Sequence, residues 1–148
     1  MSERPRRTGR GDYVRFFPVQ TRWTDNDMYG HANNALYYEW FDLAVNRLMM
    51  EEGGLDPTGG PVMDFVVESG CRYHEGVGFP DALEVGIRVG RLGTSSVRWE
   101  CAVFHSGAPL AAADGFFVHV FVDRATRRPT PIPPPLRRVM EPLLPAAI

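Results

Sequence analysis

Residue types that perform acid–base or nucleophilic chemistry are concentrated in residues 22–34. This segment contains two carboxylates, a glycine, a histidine and three asparagines, and it lies directly before a predicted helix. The first turn of a helix presents backbone N–H groups without partners and the positive end of the helix dipole. Such donors stabilise an oxyanion, and a nearby carboxylate can act as nucleophile or general base. Loops rich in Asp and Asn also serve as plain helix caps, so these residues alone leave both readings open.

The helix after this segment is predicted to be buried on several sides. Apolar side chains recur at helical spacing between Asn34 and Met50, and only a narrow edge is polar. The apolar set is Leu36, Tyr37, Trp40, Phe41, Leu43, Ala44, Leu48 and Met50. Asn33 or Asn34 can cap the helix start, and Gly53 with Gly54 can end it.

Strand-like patterns surround this helix. Apolar and polar residues alternate with a period of two over residues 83–90 and 96–103, and the run 111–122 is long and apolar. Residues 13–22 and 62–73 are further predicted strands, of which the first must be an edge strand or contain a bulge because of Pro18. An antiparallel β-sheet wrapped around one long central α-helix, an α+β fold, buries such a helix economically.

The chain is predicted to be one domain with two loose ends. Residues 1–12 read as a flexible Arg-rich tail, residues 13–123 as the folded domain, and residues 124–148 as a Pro-rich extension. In that extension, residues 136–144 can form a short helix on the surface. A length of 148 residues suits one hydrophobic core rather than two.

Charge and composition exclude several classes of function. The chain has no Lys, and residues 16–123 hold six Arg against fifteen acidic residues, which argues against a nucleic-acid-binding surface. No apolar run is long enough to span a membrane, and no secretory signal precedes the domain. The two cysteines form no CxxC pair, which favours a cytoplasmic location. The four histidines lack ligand spacing, so no metal site is expected.

The segment W-T-D-N-D-M-Y-G-H-A-N-N-A-L-Y-Y, residues 23–38, resembles the signature of the 4-hydroxybenzoyl-CoA thioesterase-like branch of the hotdog-fold superfamily. That signature is D-x-D-x-x-G followed by H-V-N-N before the central helix. Later segments, F-P-D-A-L-E-V, V-G-R-L-G-T-S-S-V and A-D-G-F-F-V-H-V-F-V-D, resemble the family's later strands in order and spacing. The resemblance covers about residues 13–140 and implies a hotdog fold.

The resemblance also implies an acyl-CoA thioesterase with named site residues. Asp27 matches the catalytic carboxylate, either nucleophile or general base, and Gly30 matches the glycine that lets the backbone approach the acyl group. Asn34 matches the position whose backbone N–H polarises the thioester carbonyl. His31 is expected to order the loop, although it could assist Asp27, and Asp25 is expected to bond turn N–H groups.

Coenzyme A is implied as part of the substrate, with no separate cofactor. Its phosphates require local arginines, for which the candidates are Arg88, Arg91, Arg98, Arg127 and Arg128. The resemblance further implies a homodimer or homotetramer with the active site at a subunit interface.

Three other functions remain open on the sequence. The chain could be a non-catalytic acyl-CoA-binding module, although an unpaired carboxylate beside a thioester argues against that reading. It could be an acyl-CoA hydratase or dehydratase, but those enzymes carry a D-x-N-P-x-H arrangement that is missing here. It could also be a dimeric scaffold without a ligand, which only the motif opposes.

Overall fold

A computed structural model of the chain describes residues 6–145. The elements are β1 (Arg15–Gln20), α1 (Leu36–Gly53), β2 (Val62–Tyr73), β3 (Ala82–Leu92), β4 (Ser96–His105), β5 (Ala113–Asp123) and α2 (Pro134–Met140). This order of one strand, a long helix and four further strands confirms the predicted α+β arrangement. None of the helices in the described range is long and apolar enough to cross a membrane.

The five strands form one antiparallel sheet in the order β1-β3-β4-β5-β2. Strand β1 lies at one edge, as Pro18 requires, since proline has no N–H for a second neighbour. Strand β2 forms the other edge. In the connection between β4 and β5, Gly107 has φ = 76°, a left-handed conformation that favours glycine.

Helix α1 packs across one face of the sheet and supplies the centre of the core. Phe41, Val45, Leu48 and Met49 are completely buried, and the inward residues of the strands surround them. The helix ends where it was predicted to end, at a left-handed Gly54 whose N–H donates to the Met49 carbonyl oxygen. The helix therefore fixes the position of the segment that precedes it.

The N-terminal residues differ from the predicted flexible tail. Residues 7–12 lie against the sheet, where the Arg7 guanidinium donates to the Ala111 carbonyl oxygen at 2.7 Å. The Thr8 N–H and hydroxyl donate to the Asp114 carboxylate at 3.2 and 3.1 Å. These contacts are polar, so a search for hydrophobic periodicity does not detect them. Residues 1–5 lie outside the described range.

The C-terminal extension also differs from its prediction as a loose end. Helix α2 begins at Pro134, since proline is tolerated in the first turn, and packs against α1 rather than on the surface. Its Leu136 and Met140 are buried, and Leu136 lies directly over Gly53 of α1. The extension thus closes one end of the core. Residues 146–148 lie outside the described range.

Candidate active site

The segment before α1 is anchored by a buried carboxylate. Asp25 ends a short 3-10 turn and accepts hydrogen bonds from the Arg22 N–H at 2.7 Å and from the Arg22 Nε at 2.9 Å. The same contact raises the pKa of the exposed Arg22 guanidinium. Asp25 is 2% exposed, so its carboxylate holds the loop and does not face a ligand.

Asp27 occupies a tight turn that closes at His31. The Asp27 N–H donates to the His31 carbonyl oxygen at 2.8 Å, and the Gly30 N–H donates to the Asp27 carbonyl oxygen at 3.1 Å. Gly30 has φ = 82°, a conformation that side chains rarely adopt, so the turn itself requires this glycine. Oδ1 of Asp27 accepts a hydrogen bond from the Tyr29 N–H at 2.8 Å. Oδ2 has no hydrogen-bond partner among residues 6–145.

The start of α1 leaves one backbone donor without a partner. Asn33 uses its side-chain oxygen to accept from the Ala35 N–H at 3.0 Å and its carbonyl oxygen to accept from the Leu36 N–H at 3.0 Å. These two bonds form a turn before the helix, which begins at Leu36. Its N-cap residue is Ala35 and makes no side-chain cap bond, so the prediction of Asn33 or Asn34 as the cap is wrong. The N–H of Asn34 donates no hydrogen bond within the described part of the chain. The Asn34 carbonyl oxygen accepts from the Tyr73 hydroxyl at 3.0 Å.

A hollow of about 310 Å³ lies beside this donor. It is lined by His31, Ala32, Asn34, Tyr37, Tyr73, His74, Glu75 and Gly76. The His31 ring packs closely on Gly76, where a Cβ atom would lie 2.9 Å from the ring. Asp27 does not line the hollow itself, but it begins the turn that closes at His31, which does. Within residues 6–145, no hydrogen bond joins the His31 ring to the Asp27 carboxylate.

One residue of the hollow, Tyr73, is not evident as a site residue from the sequence. From the sequence, His74 and Glu75 follow a predicted strand and could face the site of a neighbouring subunit; here they line the hollow of the same copy. The Tyr73 bond to Asn34 and the contact between Tyr37 and Tyr73 bring the end of β2 to the start of α1. Burial raises the pKa of Tyr73 and of Tyr37. Both phenols stay protonated at neutral pH, and the Tyr73 hydroxyl donates to the Asn34 carbonyl oxygen.

The five arginines proposed for coenzyme A do not line this hollow in a single copy of the chain. Arg88 and Arg98 lie on the sheet face opposite α1 and both contact Glu100, at 2.9 and 3.5 Å. Arg98 also lies over the Phe116 ring at 3.9 Å. The remaining three, Arg91, Arg127 and Arg128, are exposed on other parts of the surface.

A second polar group is buried between α1 and β2. His119 is 1% exposed, its ring stacks on Phe117, and its Nδ1 lies 2.9 Å from the Asp64 carboxylate. Neither ring nitrogen has a hydrogen-bond partner of good geometry among the described residues, so the contact with Asp64 is close but is not a directed hydrogen bond. Burial raises the pKa of the nearby Asp42, and His119 opposes that effect.

The two cysteines lie away from the hollow, and the described residues contain no cluster of metal-ligating side chains. Burial raises the pKa of the Cys71 thiol to about 11 and also raises that of the fully buried Cys101. Both cysteines are unpaired, and neither lines the hollow. Over residues 6–145, no three His, Cys, Asp or Glu side chains come together to hold a metal ion.

The sequence also matches a protein-family model. The model of the thioesterase-like superfamily matches residues 21–140, which include the Asp27 turn, α1 and every later strand. This chain belongs to the thioesterase-like superfamily. Membership confirms the resemblance to hotdog thioesterases and supports thioester hydrolysis as the general chemistry of the site. Curated proteins yield no match to the chain.

Solved structures share the fold of this superfamily member. The PA5185 protein of Pseudomonas aeruginosa is 50% identical, with a TM-score of 0.93, and the match covers 97% of this chain and 100% of that one. The PA2801 protein of the same organism is 30% identical, with a TM-score of 0.76 over 85% and 97% of the two chains. The Synechocystis 1,4-dihydroxy-2-naphthoyl-CoA thioesterase Slr0204 is 14% identical, with a TM-score of 0.76 over 84% and 93%. This last likeness concerns the fold alone.

Proposed function

We propose that the chain is an acyl-CoA thioesterase in which Asp27 is the nucleophile or general base and Asn34 supplies the carbonyl-polarising N–H. The observation that carries the proposal is that two groups of one loop are left without partners. Oδ2 of Asp27 and the N–H of Asn34 both lack hydrogen-bond partners in the described residues. They lie at the two ends of the eight-residue segment 27–34, of which His31, Ala32 and Asn34 line the hollow.

A role in the turn before α1 accounts for Asn33 but not for these two groups. Asn33 satisfies the Ala35 and Leu36 N–H groups by itself. Asp27 bonds only the Tyr29 N–H within its own turn, and its side chain caps no helix. A carboxylate oxygen without a hydrogen-bond partner can attack a carbonyl carbon or activate water, and an N–H without a partner can donate to the carbonyl oxygen.

The chemistry requires little more than these groups. As general base, Asp27 takes a proton from water while the water oxygen attacks the thioester carbonyl carbon. The carbonyl oxygen becomes an oxyanion that the Asn34 N–H stabilises, a contribution worth about 3–4 kcal/mol. The C–S bond then breaks, and the proton leaves with the coenzyme A thiol. As nucleophile, Asp27 forms an acyl anhydride first, which water then hydrolyses.

The edge strand β2 supports assembly into a homodimer or homotetramer. Phe65, Val66 and Val67 on this strand are 43%, 49% and 61% exposed, an apolar edge that an isolated chain would leave in water. A second copy paired along β2 would cover it and would complete the hollow at the interface. The coenzyme A phosphates would then meet arginines of either copy, with Arg88, Arg91, Arg98, Arg127 and Arg128 as the candidates.

No cofactor is needed beyond the coenzyme A that the substrate itself carries. The cytoplasm is the proposed location, since Cys71 and Cys101 are both unpaired. A hydratase mechanism finds no support in the geometry, because the His31 ring makes no hydrogen bond to Asp27 or Asp25 among the described residues.

The test is a screen of short, medium, long and aromatic acyl-CoA thioesters, with free coenzyme A measured as released thiol. Release from at least one class, with turnover, supports the proposed activity and identifies the acyl group. A melting temperature raised by coenzyme A without release would instead indicate a binding module. No release and no change in melting would contradict the proposal and favour a scaffold.

A further inference from the structure

The turn that carries Asp27 is held from outside by the loop that joins β2 to β3, residues 74–81. The Ala32 N–H donates to the Val77 carbonyl oxygen at 2.7 Å. The Phe79 N–H donates to the Asn26 side-chain oxygen at 2.9 Å. Asn26 and Ala32 flank the Asp27 turn and pair with each other. Both sides of the turn are therefore tied to the same loop.

Both ends of this loop converge on one histidine. His105, the last residue of β4, lies 3.1 Å from Glu75 through Nδ1 and 3.1 Å from Asp81 through Nε2. Ionised carboxylates only accept hydrogen bonds, and a neutral imidazole carries a single N–H. The geometry of the two contacts therefore fits a ring that donates through both of its nitrogens.

The Asp81 carboxylate that contacts His105 also bonds the backbone of the loop. The same Asp81 oxygen that contacts His105 accepts the Gly78 N–H at 3.1 Å, and the Asp81 N–H donates to the Gly78 carbonyl oxygen at 2.8 Å. Gly78 lies between the two residues that hold the Asp27 turn. Arg7 also contacts Glu75, at 3.3 Å, but it forms no ion pair with Asp81 and cannot bridge the loop ends.

We infer that His105 is a positioning residue for Asp27: through its two ring nitrogens it holds the ends of the 74–81 loop together, and the loop fixes the Asp27 turn through Asn26 and Ala32. His105 does not line the hollow, so it acts through the loop and not on the substrate. The inference rests on the proposed function for its consequence in catalysis. Its structural part, the bracing of the turn, stands on the contacts alone.

The first test compares two substitutions of His105. In His105→Gln the amide can donate to one carboxylate but presents its oxygen to the other, whereas His105→Arg keeps a cation with several donors. We expect His105→Gln to lower kcat about tenfold and to leave KM within about twofold, because small misplacement of a catalytic group costs rate strongly. His105→Arg should recover kcat to within about threefold of wild type. Arg15→Gln, which breaks the Arg15–Glu52 ion pair elsewhere, is the control and should keep wild-type kcat.

A double-mutant cycle tests the route through the loop. Asn26→Ala removes the bond to Phe79, and if both residues act on Asp27 by one route, the double variant should lose little more activity than the worse single variant. Losses that multiply would show that His105 acts by another route. A folded His105→Gln variant with wild-type kcat, or an Arg variant as slow as the Gln variant, would also overturn the inference.

Amide hydrogen exchange separates this inference from the proposed function. The exchange rates of the Ala32 and Phe79 amides should be at least about tenfold higher in His105→Gln than in wild type. In Arg15→Gln these rates should not change. The melting temperature of each variant is measured alongside. Unchanged exchange at both amides would refute the bracing, whatever the activity. Faster exchange in His105→Gln, together with a wild-type protein that hydrolyses no acyl-CoA, would leave the bracing supported and the thioesterase proposal rejected.

Discussion

Asp27 and Tyr29 form a short hydrogen bond, Oδ1 to backbone N–H at 2.8 Å, that fixes the carboxylate while using only one of its two oxygens. The bond lies within the turn, so the orientation of Asp27 does not depend on a second side chain. Oδ2 is thereby directed to one position and kept available. A carboxylate held in this way is preorganised for attack or for proton transfer.

The contribution of Asn34 should come from its backbone and not from its side chain. We expect Asn34→Ala to keep kcat within about threefold of wild type, because the N–H is unchanged. Asn33→Ala should instead lower the free energy of unfolding by about 1 kcal/mol, since it removes the side-chain bond to the Ala35 N–H in the turn before α1. Chemical denaturation and coenzyme A release on both variants check this division. An inactive, folded Asn34→Ala variant would contradict the assignment of the N–H.

Hydrolysis should not depend on either cysteine. Burial raises the pKa of Cys71 to about 11 and keeps the thiol protonated at neutral pH, so thiolate chemistry is suppressed. We expect iodoacetamide at pH 7.5 to alkylate the native protein slowly and to leave the rate of coenzyme A release unchanged. The alkylated thiols are counted by mass spectrometry, with urea-unfolded protein as the control. Rapid inactivation in proportion to labelling at Cys71 would argue for a thiol in the mechanism.

The N-terminal residues should contribute measurable stability. Thr8→Ala removes the hydroxyl that donates to Asp114 and that accepts from the buried Tyr13 hydroxyl at 2.9 Å. Leaving these groups unsatisfied should lower the free energy of unfolding by about 1–3 kcal/mol. Arg6→Ala, at an exposed neighbouring position, serves as the control and should have no effect. Equal stability of the two variants would support a loose N-terminus instead.

Acid should weaken the contact between the N-terminal residues and β3. Burial alone would raise the pKa of Glu84, but the Gly107 N–H and the Arg10 guanidinium outweigh it and hold the pKa below its ordinary value of 4.5. A carboxyl group whose pKa is lowered in the folded state stabilises the protein when the pH is above its ordinary pKa. This stabilisation is lost as the pH falls through the lowered pKa. The difference in unfolding free energy between wild type and Glu84→Gln should therefore shrink from pH 7 to pH 3. Glu51→Gln, on the exposed side of α1, should show no such trend, and a difference independent of pH would contradict this account.

The sequence predicts the elements of this fold better than its ends. Period-two alternation predicts β3 and β4, and the broad apolar face predicts α1, because both patterns follow directly from burial. The ordered position of residues 7–12 is not predicted, because Arg7 and Thr8 are held by hydrogen bonds to Ala111 and Asp114, about a hundred positions away in the chain. Helix α2 is predicted as a surface helix, since its burial depends on the space that Gly53 leaves on α1.

The sequence predicts some residues of the candidate site and not others. Asp27, Gly30 and Asn34 are recognisable because they lie in one continuous motif before a helix. Tyr73 and His105 are not recognisable, since strand pairing alone brings the ends of β2 and β4 to the Asp27 turn and its supporting loop. The arginines proposed for coenzyme A cannot be chosen from sequence, because they lie on different faces of the sheet and the surface.

The most direct test of the central claim is coenzyme A release by the Asp27→Asn variant, measured on the best acyl-CoA substrate from the screen. Asp56→Asn is the matched control, because Asp56 makes the same kind of turn bond, to the Thr58 N–H at 3.1 Å, in the α1–β2 connection far from the hollow. We expect Asp27→Asn to keep the wild-type melting temperature and to lose hydrolysis by at least about a thousandfold, while Asp56→Asn keeps wild-type kcat. Hydrolysis by a folded Asp27→Asn variant at near wild-type rate would contradict a catalytic role for Asp27.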